Sequence, residues 1–411
     1  MVLTGGGVLG AYQVGVLEAL ARGLSRGNGL QPFDPKLIVG TSVGAFNAVF
    51  LAAQGTVPFA EAVDRLKHVW LHRIADRGQG NGVFRYRLDP RDLLRHLGAD
   101  PLTAISRLGE DLRIVSTELS NTLLDSCSFN QSLGKLLFNS LDISNFLTQE
   151  PLGETIRQSI DFTQLEGSPR RAAVTAATWP GSTLCCFDGR DPLWRHEGAS
   201  LLAAATALPG IFPATSLGFQ RLADFGPIHN TPISPAINAG ANVVHLILPF
   251  AIDQAPRDLD RVGSLAELYR SLAGAWVHGL WMQMRDLLYL DHLRGLLEKH
   301  PHLLDRAHLK SFGLRLPTQG RVKIRSYSPR RPLNLGLWEL LDFRYERIAY
   351  LIELGFRNAR TQKFFNPEKV ARQLRDVSLF EARQEMAPFY DPLPQSSLVG
   401  RQAMRRRPAH R

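Results

Sequence analysis

The sequence predicts an α/β fold whose central sheet is mostly parallel and carries helices on both faces. Two short apolar runs, Val2-Leu3 and Leu37-Ile38-Val39, each lead through a glycine-containing turn into a helical pattern. Strand, turn and helix units in succession indicate a parallel sheet with crossover helices. With 411 residues, of which 44% are hydrophobic and 21% charged, the chain can also bury a large core.

The first two units differ in the turn between strand and helix. In the first unit this turn is Gly5-Gly6-Gly7, and apolar residues then recur at helical spacing through VGVLEAL. In the second unit the turn is Gly40-Thr41-Ser42-Val43-Gly44, and the small apolar helix AFNAVFLAAQ follows. Each turn therefore follows directly on a strand and precedes a helix.

Later segments extend the same pattern. Residues 59–72 and 90–97 favour helices, whereas residues 110–170 favour a mixture of helix and irregular loops. The runs AAVTAAT and TLCCFD flank residues 179–182 and predict a hairpin. The run VVHLIL at 243–248 predicts one more buried strand.

A long helical pattern spans residues 265–299. Its apolar residues lie one turn apart at Trp276, Leu280, Met284 and Leu288. We interpret this stripe as the core-facing side of a helix, although an exposed amphipathic helix has the same pattern.

The positive charge of the chain lies in its C-terminal part. Composition shifts near residue 250, and we expect two domains, residues 1–250 and a basic, mainly helical extension over residues 251–411. The first contains 20 basic and 21 acidic residues, and the second contains 28 and 17, a net charge of +11. Such a surface attracts nucleic acid, anionic lipid or an acidic protein, and charge alone does not choose among them.

Two observations narrow the partners and the compartment. The basic tail RRRPAHR carries no nucleic-acid reader motif and no interleaved aromatic residues, so we expect no nucleic acid and instead peripheral contact with anionic membranes. Cys127, Cys185 and Cys186 fit neither a zinc site nor a disulfide framework. Because no signal-peptide pattern and no long apolar run occurs, we expect a cytoplasmic protein. We also expect that it uses no metal and no cofactor.

Ser42 is the first candidate for chemistry. GTSVG fits G-x-S-x-G between a strand and a helix, and in such a turn the serine hydroxyl stands clear of the backbone. It also lies at a helix N-terminus, where free amides and the helix dipole favour negative charge. The alternative is a packing turn, but the strand and helix context favours a nucleophile.

The turn Gly5-Gly6-Gly7 is a candidate anion site. Its amides fit either a phosphate or the oxyanion of a tetrahedral acyl intermediate. The sequence lacks the phosphate-binding lysine, and Asp34 lies in a turn rather than at a strand end, which disfavours a nucleotide. A purely conformational glycine turn remains the alternative, but the nearby serine favours the oxyanion.

Several residues are candidates for the base that a serine nucleophile needs. Asp224 follows an apolar run in LADFGPIHNTPI, and Asp188 follows TLCCF. Ser42, Asp224 and His245 stand in the chain order of an α/β hydrolase triad. However, His245 lies in an apparent strand, where a core role is more common, and His229 lies in a loop.

Four separated segments together resemble the patatin-like phospholipase family: GGGVLGAYQVGVLEAL, IVGTSVGAFNA, AAATALPGIFPA and LADFGPIHNTPI. The resemblance covers roughly residues 1–250. It implies a serine acyl hydrolase that uses a Ser-Asp dyad without histidine and acts on lipid esters without calcium. By position, it implies Ser42 as nucleophile, Asp224 as base and Gly5, Gly6 and Gly7 as the oxyanion hole.

Two positions depart from the family pattern. Leu9 stands where many members have Arg or Lys, and Phe225 replaces the first glycine of Asp-Gly-Gly. Phe does not readily adopt positive φ, so this change could tilt Asp224. The expected function is therefore lipid ester hydrolysis, with a catalytically impaired lipid- or protein-binding module as the alternative. The C-terminal extension resembles the extension of some bacterial members of the family. This resemblance implies no role for the extension.

Overall fold

A computed structural model describes residues 1–87, 147–181, 183–250, 322–329 and 338–361, with scattered positions in 105–116 and 276–299 and at 333. The predicted helix at 90–97 lies outside the described residues. None of the helices within these ranges is both long and apolar enough to cross a membrane.

Strands and helices alternate through most of the described chain, which confirms the predicted α/β class. The strands are β1 (Val2–Leu3), β2 (Leu37–Thr41), β3 (Arg85–Tyr86), β4 (Leu147–Thr148), β5 (Arg171–Thr178), β6 (Leu184–Asp188), β7 (Thr215–Leu217), β8 (Gln220–Ala223), β9 (Val243–Ile247) and β10 (Lys323–Tyr327). The helices are α1 (Gly10–Ala21), α2 (Val43–Ala53), α3 (Phe59–Val69), α4 (Glu150–Ser159), α5 (Leu193–Ala205), α6 (Ile233–Asn238) and α7 (Tyr345–Thr361).

Eight of these strands form one sheet in the order β10-β9-β1-β2-β5-β8-β7, with β6 also paired to β5. The five strands from β10 to β5 pair in parallel, and β6, β7 and β8 pair antiparallel at one side. The predicted hairpin at 179–182 is confirmed as the β5–β6 connection, and the predicted strand at 243–248 is confirmed as β9. The helix predicted at 59–72 is α3 with a π-helical turn after it.

Both faces of the sheet are covered, as predicted. Successive residues of β1 point to opposite faces: Leu3 packs in the cluster with α1, α2, α3, α5 and α7, and Val2 packs in the cluster with α6. Leu280 and Met284 belong to this second cluster, and Trp276 is also buried. The core-facing interpretation is therefore confirmed for these three residues, whereas Leu288 lies outside the described part of the chain.

Strand β5 brings the ends of two other strands together. Along one edge of β5, β2 pairs in parallel and ends opposite Thr175, while β8 pairs antiparallel and ends opposite Ala177. Strand β6 occupies the other edge. Because β2 and β8 run toward each other along one edge, the residues that follow them, Ser42 and Asp224, meet.

Two segments of the predicted C-terminal extension are built into this fold. Strand β10 continues the sheet beside β9, and α7 packs along α1. Glycines allow the close approach of the two helices, because a Cβ atom on Gly15 would overlap the carbonyl oxygen of Ile352, and one on Gly355 that of Tyr12. The boundary near residue 250 stays a prediction; α7 shares its core with residues 1–250.

Candidate active site

Ser42 occupies a strained turn between β2 and α2. Its φ of 55° and ψ of −130° lie in a region that non-glycine residues rarely adopt. The turn is possible because Gly40 and Gly44 have no side chains: a Cβ atom on Gly40 would overlap the carbonyl of Gly44, and one on Gly44 that of Leu3. Ser42 is the N-cap of α2, yet within the described structure its side chain makes no capping hydrogen bond. The hydroxyl is thus left for another partner.

That partner is the carboxyl group of Asp224. Asp224 is only 4% exposed, and its side chain is in hydrogen-bonding reach of the Ser42 hydroxyl. The Gly226 amide donates to its Oδ1 at 2.7 Å. Burial raises the pKa of Asp224 to about 6, although the hydrogen bonds from Ser42 and Gly226 oppose this shift. The carboxyl group therefore changes protonation state close to neutral pH.

Phe225 does not disturb this arrangement. Among the described non-glycine residues, only Leu30 and Ser42 have positive φ, so Phe225 adopts an ordinary backbone conformation and glycine is not required there. The Phe225 side chain is buried and its ring lies 5.9 Å from that of His229. The backbone at Phe225 therefore gives no cause for the tilt of Asp224 that the sequence suggested.

The other candidate acid and bases are engaged elsewhere. His245 is buried, hydrogen-bonds the Tyr327 hydroxyl at 3.0 Å through Nδ1, and stacks on Phe33. Desolvation first, and then the nearby Arg325, lower the pKa of His245 to about 3. His229 packs against Phe225, and Asp188 forms an ion pair with Arg171. None of these contacts involves Ser42 or Asp224.

Asn230 holds the first glycine of the turn beside Ser42. Its Oδ1 accepts from the Gly5 amide at 2.8 Å, and its Nδ2 donates to the Gly5 carbonyl at 3.3 Å. The contact is so close that a Cβ atom on Gly5 would lie 2.5 Å from Asn230 Oδ1 and 2.8 Å from Ser42 Cβ. Glycine is thus needed here for space.

The amides of Gly6 and Gly7 are arranged differently from that of Gly5. Both residues have positive φ, 148° and 56°, and among the described residues neither amide has a hydrogen-bond acceptor. Leu9, at the position where a cation is common in the family, is buried and packs beside Gly6. The glycine turn therefore presents two free donors next to Ser42.

Buried side chains support the glycine turn from behind. Gln13 donates to the Thr4 carbonyl at 2.6 Å and accepts from Asn47 at 2.9 Å. The Trp70 indole donates to Asn47 at 2.9 Å, which extends the network from α1 and α2 to the end of α3. These partners fix the backbone just before Gly5.

The Ser42 hydroxyl, Asp224 and the glycine turn line one cavity. Its empty volume, including space open to solvent, is about 820 Å³. Besides Gln149, Thr206 and Asn230, the side chains around it are mostly apolar. The apolar lining residues are Val43, Phe46, Trp70, Ile74, Val83, Leu152, Leu208, Phe212, Trp276, Leu340, Leu341 and Phe343.

Part of this lining comes from the C-terminal extension. The helical turn Trp338–Leu341 lies against the glycine turn, since a Cβ atom on Gly7 would overlap the carbonyl oxygen of Leu340. Backbone hydrogen bonds fix the segment: the Asp76 amide donates to the Phe343 carbonyl at 2.8 Å, and the Tyr345 amide donates to the Asp76 carbonyl at 3.0 Å. The extension thus contributes directly to the cavity beside Ser42.

Sequence reasoning missed Asn230 and residues 338–343. Asn230 lies within the motif LADFGPIHNTPI, six residues after Asp224. Its position in the same motif as Asp224 was the available signal. Nothing in the sequence around residues 338–343 pointed to the cavity.

The chain is similar to a known protein family and to a solved structure. The family model described as patatin-like phospholipase matches residues 1–237. Among solved structures, VipD from Legionella pneumophila is similar at a TM-score of 0.32 and 12% identity, over 87% of this chain and 65% of that chain. The search of curated proteins finds no match. Because the family model covers more than half of the 411 residues, the chain belongs to the patatin-like phospholipase family, a family of lipid acyl hydrolases.

Proposed function

We propose that the chain is a serine acyl hydrolase that cleaves carboxylic ester bonds of phospholipids or related lipids through a Ser42–Asp224 dyad. The observation that carries the proposal is the meeting of a strained turn at Ser42 with the buried carboxyl group of Asp224. A raised pKa makes this carboxylate a better base than an exposed one, because a general base works best with a pKa near the operating pH.

In the acylation step, Asp224 accepts the proton of the Ser42 hydroxyl while Oγ attacks the ester carbonyl carbon. The carbonyl oxygen becomes an oxyanion in a tetrahedral intermediate. When the intermediate collapses, the bond to the alcohol portion breaks, and that alkoxide leaves with the proton from Asp224. The acyl group remains esterified to Ser42, and Asp224 is a carboxylate again.

The oxyanion hole is assigned to the free amides of Gly6 and Gly7. The Gly5 amide already donates to Asn230, so the contribution of Gly5 is to let the turn approach Ser42. Preorganised donors of this kind stabilise the developing negative charge, and each is worth about 3 to 4 kcal/mol in the transition state.

In the deacylation step, Asp224 takes a proton from a water molecule, which attacks the acyl carbon. The second tetrahedral intermediate releases Ser42 Oγ, which regains its proton from Asp224, and the fatty acid leaves. No histidine is needed in either step, and none of the contacts of His229 or His245 reaches the two reacting side chains.

The apolar lining of the cavity favours binding of a long acyl chain of the substrate. Its lining is mostly aliphatic and aromatic, and burying apolar surface supplies about 25 cal/mol per Å². No charged side chain besides Asp224 lines the cavity among the described residues, so a charged headgroup fits its solvent side rather than its interior.

Labelling with a fluorophosphonate tests the proposal against the impaired binding module. We expect stoichiometric labelling of Ser42, release of fatty acid from lipid esters, and loss of both in Ser42→Ala. The ordinary backbone conformation of Phe225 favours turnover over the impaired alternative. A folded wild-type chain that neither reacts with the probe nor releases fatty acid would leave the binding module as the better account.

We also propose that the basic extension attracts the protein to anionic membranes. Residues 251–411 carry a net charge of +11, and each basic residue near an anionic surface contributes about 1 kcal/mol before screening. Binding to anionic vesicles should exceed binding to zwitterionic vesicles at low salt and should fall as salt is raised. Equal binding to both at low salt would end this part of the proposal.

A further inference from the structure

Four large apolar side chains are exposed just after β5, at the start of β6, in the β7–β8 turn and in the loop after β8. Phe219 is fully exposed, Ile228 is 59% exposed, and Leu184 and Trp179 are 41% and 40% exposed. Isolated apolar residues on a surface are common, whereas large apolar residues exposed on neighbouring turns are typical of an interaction site. We call these four residues the apolar rim.

Strand pairing brings members of the apolar rim together. The Trp179 amide donates to the Arg221 carbonyl at 2.8 Å, and Phe219 lies two residues before Arg221 in the tight β7–β8 turn. Leu184 is the first residue of β6 and pairs with Ala177, which lies two residues before Trp179. The two hairpin tips are therefore neighbours.

The apolar rim lies toward the same end of the strands as Ser42, the end at which β2 stops. Strand β2 ends opposite Thr175, and Ser42 follows it, whereas β5 continues in the same direction to Thr178. At about 3.3 Å per residue, the hairpin tips project roughly 10 Å beyond the level at which β2 ends. Ile228 lies in the loop that carries Asp224 and Gly226, both of which line the cavity.

A cation accompanies the apolar residues. Arg221 is exposed between Phe219 and the end of β8, and among the described residues its guanidinium group has no carboxylate partner. An unpaired guanidinium group beside Trp and Phe suits the headgroup region of a lipid bilayer, where aromatic rings enter the interface and Arg binds phosphate oxygens.

We propose that the apolar rim, with Arg221, docks the protein on the surface of a lipid bilayer. This inference rests on the proposed function, because a lipid ester hydrolase must take its substrate from an interface, and the apolar rim lies toward the end of β2 that is followed by Ser42. The contact differs from the electrostatic attraction of the basic extension: it depends on apolar insertion and persists on zwitterionic lipid at high salt.

The test measures binding of the full-length chain to phosphatidylcholine vesicles at high salt. Ser42→Ala serves as background so that the vesicles are not hydrolysed. Adding Phe219→Asp should weaken binding about tenfold or more, since one large apolar side chain no longer enters the membrane. Adding Leu30→Asp is the matched control: Leu30 is also 59% exposed but lies before β2, toward the opposite end of the strands, and should leave binding unchanged.

Activity separates this inference from the proposed function. With Ser42 intact, Phe219→Asp should hydrolyse a dissolved short-chain ester at the wild-type rate but hydrolyse vesicle phospholipid about tenfold more slowly. Binding without any hydrolysis by the wild type would remove the proposed function and leave the apolar rim standing. Absence of vesicle binding, equal loss with Leu30→Asp, or an unchanged Phe219→Asp would overturn the inference. A change of oligomeric state in Phe219→Asp would also overturn it, because the apolar rim would then be a protein interface.

Discussion

The side chain of Asn230 binds both backbone polar groups of Gly5, at 2.8 Å and 3.3 Å. This pairing joins the loop after Asp224 to the glycine turn, so the base and the free amides of the turn are positioned by one residue. A buried primary amide can satisfy a backbone donor and acceptor at once. No hydrophobic residue of similar size can replace it.

Replacing Asn230 by Ala should lower kcat about 10- to 100-fold, because the turn loses its fixed position and leaves buried polar groups unpaired. Asn230→Asp keeps the acceptor for the Gly5 amide, so it should recover part of the rate. Its carboxylate would also lie near Asp224 and raise the pKa of the base further. We therefore expect the pH profile of Asn230→Asp, measured on a dissolved ester, to move to higher pH. An unshifted profile in a folded, active variant would argue against a positioning role.

The activity of the wild type should rise with pH through about 6, where Asp224 loses its proton. Asp224→Asn should reduce kcat by a factor of about 10² to 10⁴ at all pH values. A kcat/KM profile that is flat between pH 5 and 8 would contradict Asp224 as the base.

Asp224 should also make stability depend on pH. Because its folded pKa of about 6 exceeds the ordinary value of 3.8, the folded state binds more protons between these values, and stability falls as pH rises across that window. Asp224→Asn removes the buried charge, so its Tm should exceed that of the wild type at pH 8, and the difference should shrink at pH 4. Thermal unfolding at both pH values gives the answer. A lower Tm for Asp224→Asn at pH 8 is the opposite of what we expect.

The two histidines should affect stability more than chemistry. His245→Ala loses a buried hydrogen bond and ring contacts, so its Tm should fall while kcat on a dissolved ester stays within about twofold of wild type. His229→Ala should behave similarly with a smaller loss of stability, because His229 is only partly buried. A folded histidine variant with a 100-fold lower kcat would point to a triad.

Leu341→Trp should change selectivity for acyl-chain length. The larger side chain would fill part of the cavity that Leu341 lines, and kcat/KM for a long-chain ester should fall roughly tenfold relative to a short-chain ester. Tyr350→Trp is the matched control, since Tyr350 is exposed on α7 of the same segment. Equal effects on both chain lengths would indicate that the extension does not shape the acyl site.

Local patterns predicted the parts of the site that depend on adjacent residues. The sharp turn at Ser42 was predictable because Gly40 and Gly44 flank it, and the first two strand, turn and helix units were predictable from hydrophobic spacing. Asp224 was identified by its motif, but its burial and raised pKa depend on β5, which places the ends of β2 and β8 face to face.

Contacts between distant residues were not predictable. Asn230 reaches Gly5 across a sequence separation of 225, and Leu340 meets Gly7 only because α7 packs on α1. Such contacts follow from the assembled fold and leave no periodic signal in the sequence. The same reason explains why the cavity lining by Leu340, Leu341 and Phe343 was not predicted.

We propose that Ser42 and Asp224 together hydrolyse lipid esters. The most direct measurement is fatty acid release from mixed phospholipid vesicles by the wild type, Ser42→Ala and Asp224→Asn, with folding of each checked by thermal unfolding. We expect release by the wild type, none above background for Ser42→Ala, and at least about a 100-fold reduction for Asp224→Asn. Release by folded Ser42→Ala at a rate close to that of the wild type would contradict the account.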